Sequence, residues 1–176
     1  DFFSSFILSS FSMVEEYSDI KDMRLSEIHL DSFLNEMSEL LTLSAAGKNI
    51  SIENNIDHET ECSLFIDQKK MNIALTNLLN FAAVNCEKES RVSISRHFNS
   101  FEASIIISFE SGDFREDSVQ FIFDPFHPGN AATSNFDMAI AQRIVILHGG
   151  IIYPTVSENT VTFRVTIPRE KRTREA

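Results

Sequence analysis

Few side chains in this sequence could do chemistry, and their spacing limits what that chemistry is. There are five histidines, His29, His58, His97, His127 and His148, and they fall in separate predicted elements. Only His58 is followed by an acid, Glu59, and that dipeptide lies in a predicted turn between two strands. The others read as structural or surface residues. Cys62 and Cys86 have neither CxxC spacing nor a nearby histidine pair, and read as free thiols of a reducing compartment. No Ser/His/Asp, Cys/His or metal-ligand arrangement emerges. The remaining polar side chains are dispersed among predicted helices and loops. An asparagine oxygen suits a hard cation such as magnesium. An acid at the start of a helix suits the bare N–H groups there.

The bulk properties bound what can position these residues. A chain of 176 residues fits one domain with a short appendage, and a hydrophobic share of 43% supports a real core. The net charge of −11 disfavours nucleic acid and anionic membranes as partners, since both repel an acidic surface. No apolar run approaches the roughly 20 residues that span a bilayer. The opening DFFSSFILSSF has no basic region or cleavage site and reads as a start inside a helix, not as a signal peptide.

Periodicity then orders the elements. Residues 2–20 show one broad apolar face at helical spacing. MRLSEIHL predicts a short strand, and Asp31 an N-cap for a helix that buries Phe33, Leu34 and Met37 and ends at Gly47. NISIENNI and SLFI predict two strands. Asp67 caps a long helix running to about Asn85 through Met71, Ala74, Leu75, Leu78, Leu79 and Ala82. RVSISRHF and EASIIISF form a hairpin across NSF. ESGDFREDS is a polar loop, VQFIF a short apolar turn, and HPGNAATSN a loop of small residues. A helix from Asp137 to His148 stops at Gly149-Gly150, and IIYP and TVTFRVTIP make a last hairpin through SEN. The natural packing is helices on one face of a mixed sheet.

Four of these stretches, in order, resemble the catalytic ATP-binding domain of sensor histidine kinases, a member of the ATPase superfamily that includes gyrase. DQKKMNIALTNLLNFAA is similar to the family's long helix, FIFDPF to its F-x-P-F pattern, MAIAQRIVILHGGII to the helix after the phosphate loop, and TVTFRVTIP to its closing strand. The resemblance implies an α/β fold, a two-layer sandwich with a mixed sheet and helices on one face, plus an N-terminal helical stub. Residues 1–24 would be the end of a dimerisation-hairpin helix, 25–168 the ATPase-like domain, and 169–176 a charged tail.

The same resemblance implies a nucleotide pocket at Asn77, Asn80, Phe81, Glu110, Gly112 and Asp137, and here the sequence departs from the family. The metal-binding asparagine falls at Phe81, whose ring cannot ligate magnesium, and the basic residue three positions on falls at Val84. Asn80 lies about 100° round the helix and cannot substitute. Glu110 keeps an acceptor for adenine but is one methylene longer than aspartate. Gly112 is retained, while Phe114 stands where the pattern has a second glycine. Both phosphate-loop glycines are absent before Asp137, which as an N-cap would occupy the N–H groups a phosphate needs. The expectation is a degenerate domain that lacks autokinase activity and needs no cofactor. It would serve two-component signalling as a pseudokinase, docking or phosphotransfer module. Its partner would be a response-regulator receiver domain or another histidine kinase, with homodimerisation through the N-terminal helix and a cytoplasmic location on a parent protein open to membrane anchoring. The alternative is a divergent but active kinase in which Asn77, Glu110 and Gly112 hold ATP and magnesium in an altered pose.

Overall fold

Two-residue alternation builds the larger sheet. The computed structural model describes residues 22–45, 51–56, 61–112, 114, 117–125 and 135–169. Five strands lie in the order β2 (Ser51–Asn55), β4 (Arg91–Phe98), β5 (Glu102–Glu110), β7 (Thr160–Pro168) and β6 (Ile151–Ser157). The β2–β4 pair is parallel and the other three are antiparallel, so the sheet is mixed as expected. The register places Ile94, Ile107 and Phe163 in one row and Ile105, Val165 and Ile152 in the next, and all six are buried. The intervening residues are largely Ser and Thr, and two cross-strand hydroxyl pairs form there, Ser104–Thr166 and Ser108–Thr162. This is the in/out pattern of a sheet covered on one face. Pro154 interrupts β6, which it can do because β6 is an edge strand.

One correction concerns β1 (Ser26–His29) and β3 (Ser63–Ile66). They pair antiparallel in a separate two-stranded ribbon and do not join the main sheet. The final hairpin is also longer than IIYP implies, since β6 continues to Ser157 and turns at Glu158, whose φ is 53°.

Three helices cover the sheet. α1 (Leu30–Ala45) buries Leu30, Phe33, Leu34 and Met37. α2 (Gln68–Asn85) buries Met71, Ala74, Leu75, Leu78, Leu79, Phe81, Ala82 and Ala83. α3 (Asn135–Leu147) buries Met138, Ala139, Ile140, Ala141, Ile144 and Val145. α2 begins as its sequence predicts: the Asp67 side chain accepts from the Lys70 N–H at 3.2 Å. α3 ends at Gly149, whose φ of 76° a side chain would strain, and Gly150, where a Cβ would lie 2.4 Å from the Thr166 carbonyl. The glycine pair therefore has a packing cause.

Asp31 and Asp137 are not N-caps. α1 starts at Leu30 and α3 at Asn135, so each acid lies within a first turn. Asp31 instead pairs with Arg96, with a second contact from Arg96 Nη2 to Oδ2 at 2.8 Å. The cause is register: Arg96 occupies the apolar row of Ile105 and Val165. Its side chain is only 5% exposed and needs a counter-charge. The predicted helix over 2–20, Gly47, His58-Glu59, His127 and residues 170–176 lie outside the described residues.

Asp31→Ala removes that counter-charge and leaves a buried guanidinium. Urea unfolding is expected to show a loss of about 3 kcal/mol, and much of it should return when Arg96 is also replaced by methionine.

Candidate functional site

The polar positions marked by the sequence sit along α2, at the end of β5 and at the start of α3. On α2, Phe81 is 4% exposed and points into the core. Its ring meets Phe163 of β7 at 5.7 Å between centroids, Phe109 of β5 at 6.5 Å and Phe114 of the following loop at 5.5 Å. Phe109 and Phe114 also touch, edge to face at 6.4 Å, and Phe123 packs on Phe163 at 6.4 Å. Offset and edge-on contacts of this kind add about 0.5–1.5 kcal/mol per pair beyond area burial. Phe81 and Phe114, 33 residues apart and each singled out as a departure from a motif, are thus in direct contact.

The other positions are committed to nearby groups. Asn77 Nδ2 donates to the Asp137 carbonyl at 3.0 Å, tying the middle of α2 to the first turn of α3. Asn80 is exposed, turned away from the face that buries Phe81, as the 100° step requires. Val84 is also on the exposed side, at 38%. Glu110 Oε2 accepts from the Ser90 hydroxyl at 3.1 Å, and its carbonyl accepts from the Glu87 N–H at 2.9 Å. Gly112 does not have a positive φ, and among the described residues a Cβ there would meet the Glu87 carboxylate, at 3.2 Å. Its lack of a side chain is therefore not a backbone necessity. Asp137 is exposed. Adjoining protein mass raises its carboxyl above the ordinary value.

The structure thus joins Asn77 with Asp137 and Phe81 with Phe114. It sets Glu110 against the α2–β4 connection and leaves Asn80 in solvent. The residues just before Asn135 lie outside the described set. Among the described residues, no three His, Cys, Asp or Glu side chains are grouped to hold a metal. Cys62 and Cys86 are free, and burial pushes both thiols up, which keeps them protonated and unreactive.

Sequence reading missed Phe109 and Phe163 as neighbours of Phe81. The signal was present as alternation within β5 and β7, but only the strand register brings those rings under α2. It also missed the partners of His148, taken as a helix-end residue. His148 Nε2 accepts the Asp67 N–H at 2.9 Å, and Nδ1 lies 2.8 Å from the Ile144 carbonyl. That pairing fixes the neutral tautomer with the proton on Nδ1.

Comparison with known proteins bears on the fold. No protein-family model matches the chain. The sensor protein VanS of Enterococcus faecium is 28% identical over 173 residues, which cover 92% of this chain and 43% of VanS. The chain therefore spans less than half the length of that relative. The nucleotide-free catalytic domain of histidine kinase ThkA superposes with a TM-score of 0.76 at 22% identity, covering 84% of this chain and 97% of that domain. Full-length ShkA in complex with AMPPNP gives a TM-score of 0.79 at 17% identity, over 92% of this chain and 35% of ShkA. The fold is that of histidine-kinase catalytic domains, and the likeness to VanS supports the same assignment.

Phe81→Ala opens a cavity among the rings of Phe109, Phe114 and Phe163. It is expected to cost about 3–5 kcal/mol in chemical denaturation, and Phe81→Leu clearly less.

Proposed function

We propose that this chain is a degenerate catalytic domain of the sensor-histidine-kinase type. It acts in two-component signalling as a pseudokinase, docking or phosphotransfer module without efficient binding of Mg·ATP. The observation that carries this reading is the Phe81–Phe114 contact, with centroids 5.5 Å apart. The resemblance puts a magnesium-binding asparagine at the first position and an adenine-loop glycine at the second. Magnesium demands oxygen ligands in near-octahedral geometry, and a buried phenyl ring offers none. A second ring, where backbone would have to approach a base, fills space of its own.

The remaining polar groups support the same reading. The Asn77 amide is engaged by the Asp137 carbonyl and the Glu110 carboxylate by Ser90. Asp137 places a negative charge in the first turn of α3, where it complements the helix dipole and opposes a triphosphate. What persists is the apolar scaffold, which suffices to present a surface.

On this reading the partner is a response-regulator receiver domain or another histidine kinase, and the domain works in the cytoplasm as part of a homodimer formed through the N-terminal region. ThkA, similar in fold at a TM-score of 0.76, has been solved in complex with the response regulator TrrA. A phosphotransfer role would require an accepting histidine on a helix preceding these residues, whereas a pseudokinase role would not. Among the described residues, no helix is long and apolar enough to cross a membrane.

Thermal unfolding with increasing Mg·ATP tests occupancy, because a ligand at 100 times its Kd stabilises by about 2.7 kcal/mol. No saturable rise in Tm is expected up to millimolar nucleotide, nor in Phe81→Asn, where the α3 start is still unaltered. A saturable rise in the unmodified protein would overturn the proposal in favour of a divergent, active kinase.

A further inference from the structure

We propose that the Asp67–His148 contact is a proton-operated latch that holds the chain entering β1 against the start of α2. This does not depend on the kinase reading. Asp67 is 5% exposed and serves three elements at once. Its carboxylate accepts the Arg24 N–H at 2.9 Å from the entering chain and the Lys70 N–H at 3.2 Å from α2. Its own N–H is donated to His148 Nε2, beyond the end of α3. The Lys70 ammonium reinforces the arrangement, lying 3.4 Å from Asp67 Oδ2 and donating to the Asp22 carbonyl at 2.9 Å. One carboxylate and one imidazole therefore join the chain at Asp22–Arg24 to two helices.

The latch is closed only while Nε2 is unprotonated. A proton there turns the acceptor into a donor and sets two N–H groups against each other. The new Nε2–H then has one anionic acceptor on the residue it faces, the Asp67 carboxylate, which now holds Arg24. Protonation thus exchanges partners: the imidazolium takes the carboxylate and the Arg24 N–H is released. Two charged groups and one backbone carbonyl bear on the exchange. Asp67 favours the imidazolium, Lys70 opposes it, and the Ile144 carbonyl at the end of α3 accepts from Nδ1–H in either state. Burial lowers the histidine pKa and outweighs the favourable contacts. Asp67 stays ionised through the relevant range. Burial acts to raise it, but the N–H groups of Arg24 and Lys70 and the Lys70 charge bring it below the ordinary carboxylate value.

The sign follows. In the closed state Nε2 accepts the Asp67 N–H and carries no proton, so the closed state binds fewer protons than the open one. Closure is complete above the ordinary value of 6.5 and weakens as pH falls below it. The released chain has room to move, because a cavity of about 480 Å³ lies beside Asp22, Arg24, Ser26, Gln68 and Lys69.

Amide hydrogen exchange at Arg24, corrected for intrinsic rates, reads the latch directly, with the imidazole ¹⁵N shifts of His148 followed in the same samples between about pH 8 and about pH 5. Protection of Arg24 is expected to fall about tenfold per pH unit once His148 begins to protonate, with both signals sharing one midpoint below 6.5. His148→Gln keeps an acceptor for Asp67 but takes up no proton, so its Arg24 protection should not change with pH. An imidazole that stays neutral throughout, Arg24 protection that ignores its titration, or an equal fall in both proteins would each overturn the proposal. If the variant does not fold, coincidence of the two midpoints in the unmodified protein decides the matter alone.

Discussion

The layered structure depends on one constraint: α2 must bury an apolar face against a sheet that has only one apolar face to offer. Eight α2 residues are buried between the sheet and the neighbouring helices, among them three alanines and one phenylalanine. Phe81 reaches the rings of Phe109 and Phe163, which belong to adjacent strands of the sheet, so the helix and two strands share one packed cluster. Dense packing of this kind tolerates neither a void nor a new polar atom.

Charge burial imposes the second level of order. Arg96 stands in an apolar row of the sheet, and Asp67 at a helix start enclosed by neighbouring elements. Each must find partners or destabilise the fold, since an unpaired buried charge costs several kcal/mol. Arg96 joins β4 to α1 through Asp31, and its guanidinium also lies 4.9 Å from the Phe98 ring centroid. Asp67 and Asn77 then bracket α2 and α3, which run antiparallel: one contact ties the start of α2 to the end of α3, and the other its middle to the α3 start. These polar groups act as joints between elements.

The polar side chains of Asp67 and Asn77 are thus tied to neighbouring elements, and the junction at Asp67 attaches the entering chain at Arg24.

Much of this was readable in the residues. Alternation placed β4, β5 and β7, because a one-sided sheet imposes a strict period of two. Asp67 marked the start of α2, since a carboxylate there accepts a local N–H whatever surrounds it. The departures at Phe81 and Phe114 were visible as residue types that cannot ligate a cation or leave backbone bare. Tertiary structure alone decided the rest. Asp31 looks like a cap in isolation, but a buried arginine 65 residues away claims its carboxylate. β1 and β3 look like members of one sheet, yet they pair with each other, because short strands carry little register information of their own. That Phe81 and Phe114 touch, and that His148 accepts from Asp67, follows from strand register and helix docking, which are long-range and cannot be read from any local window.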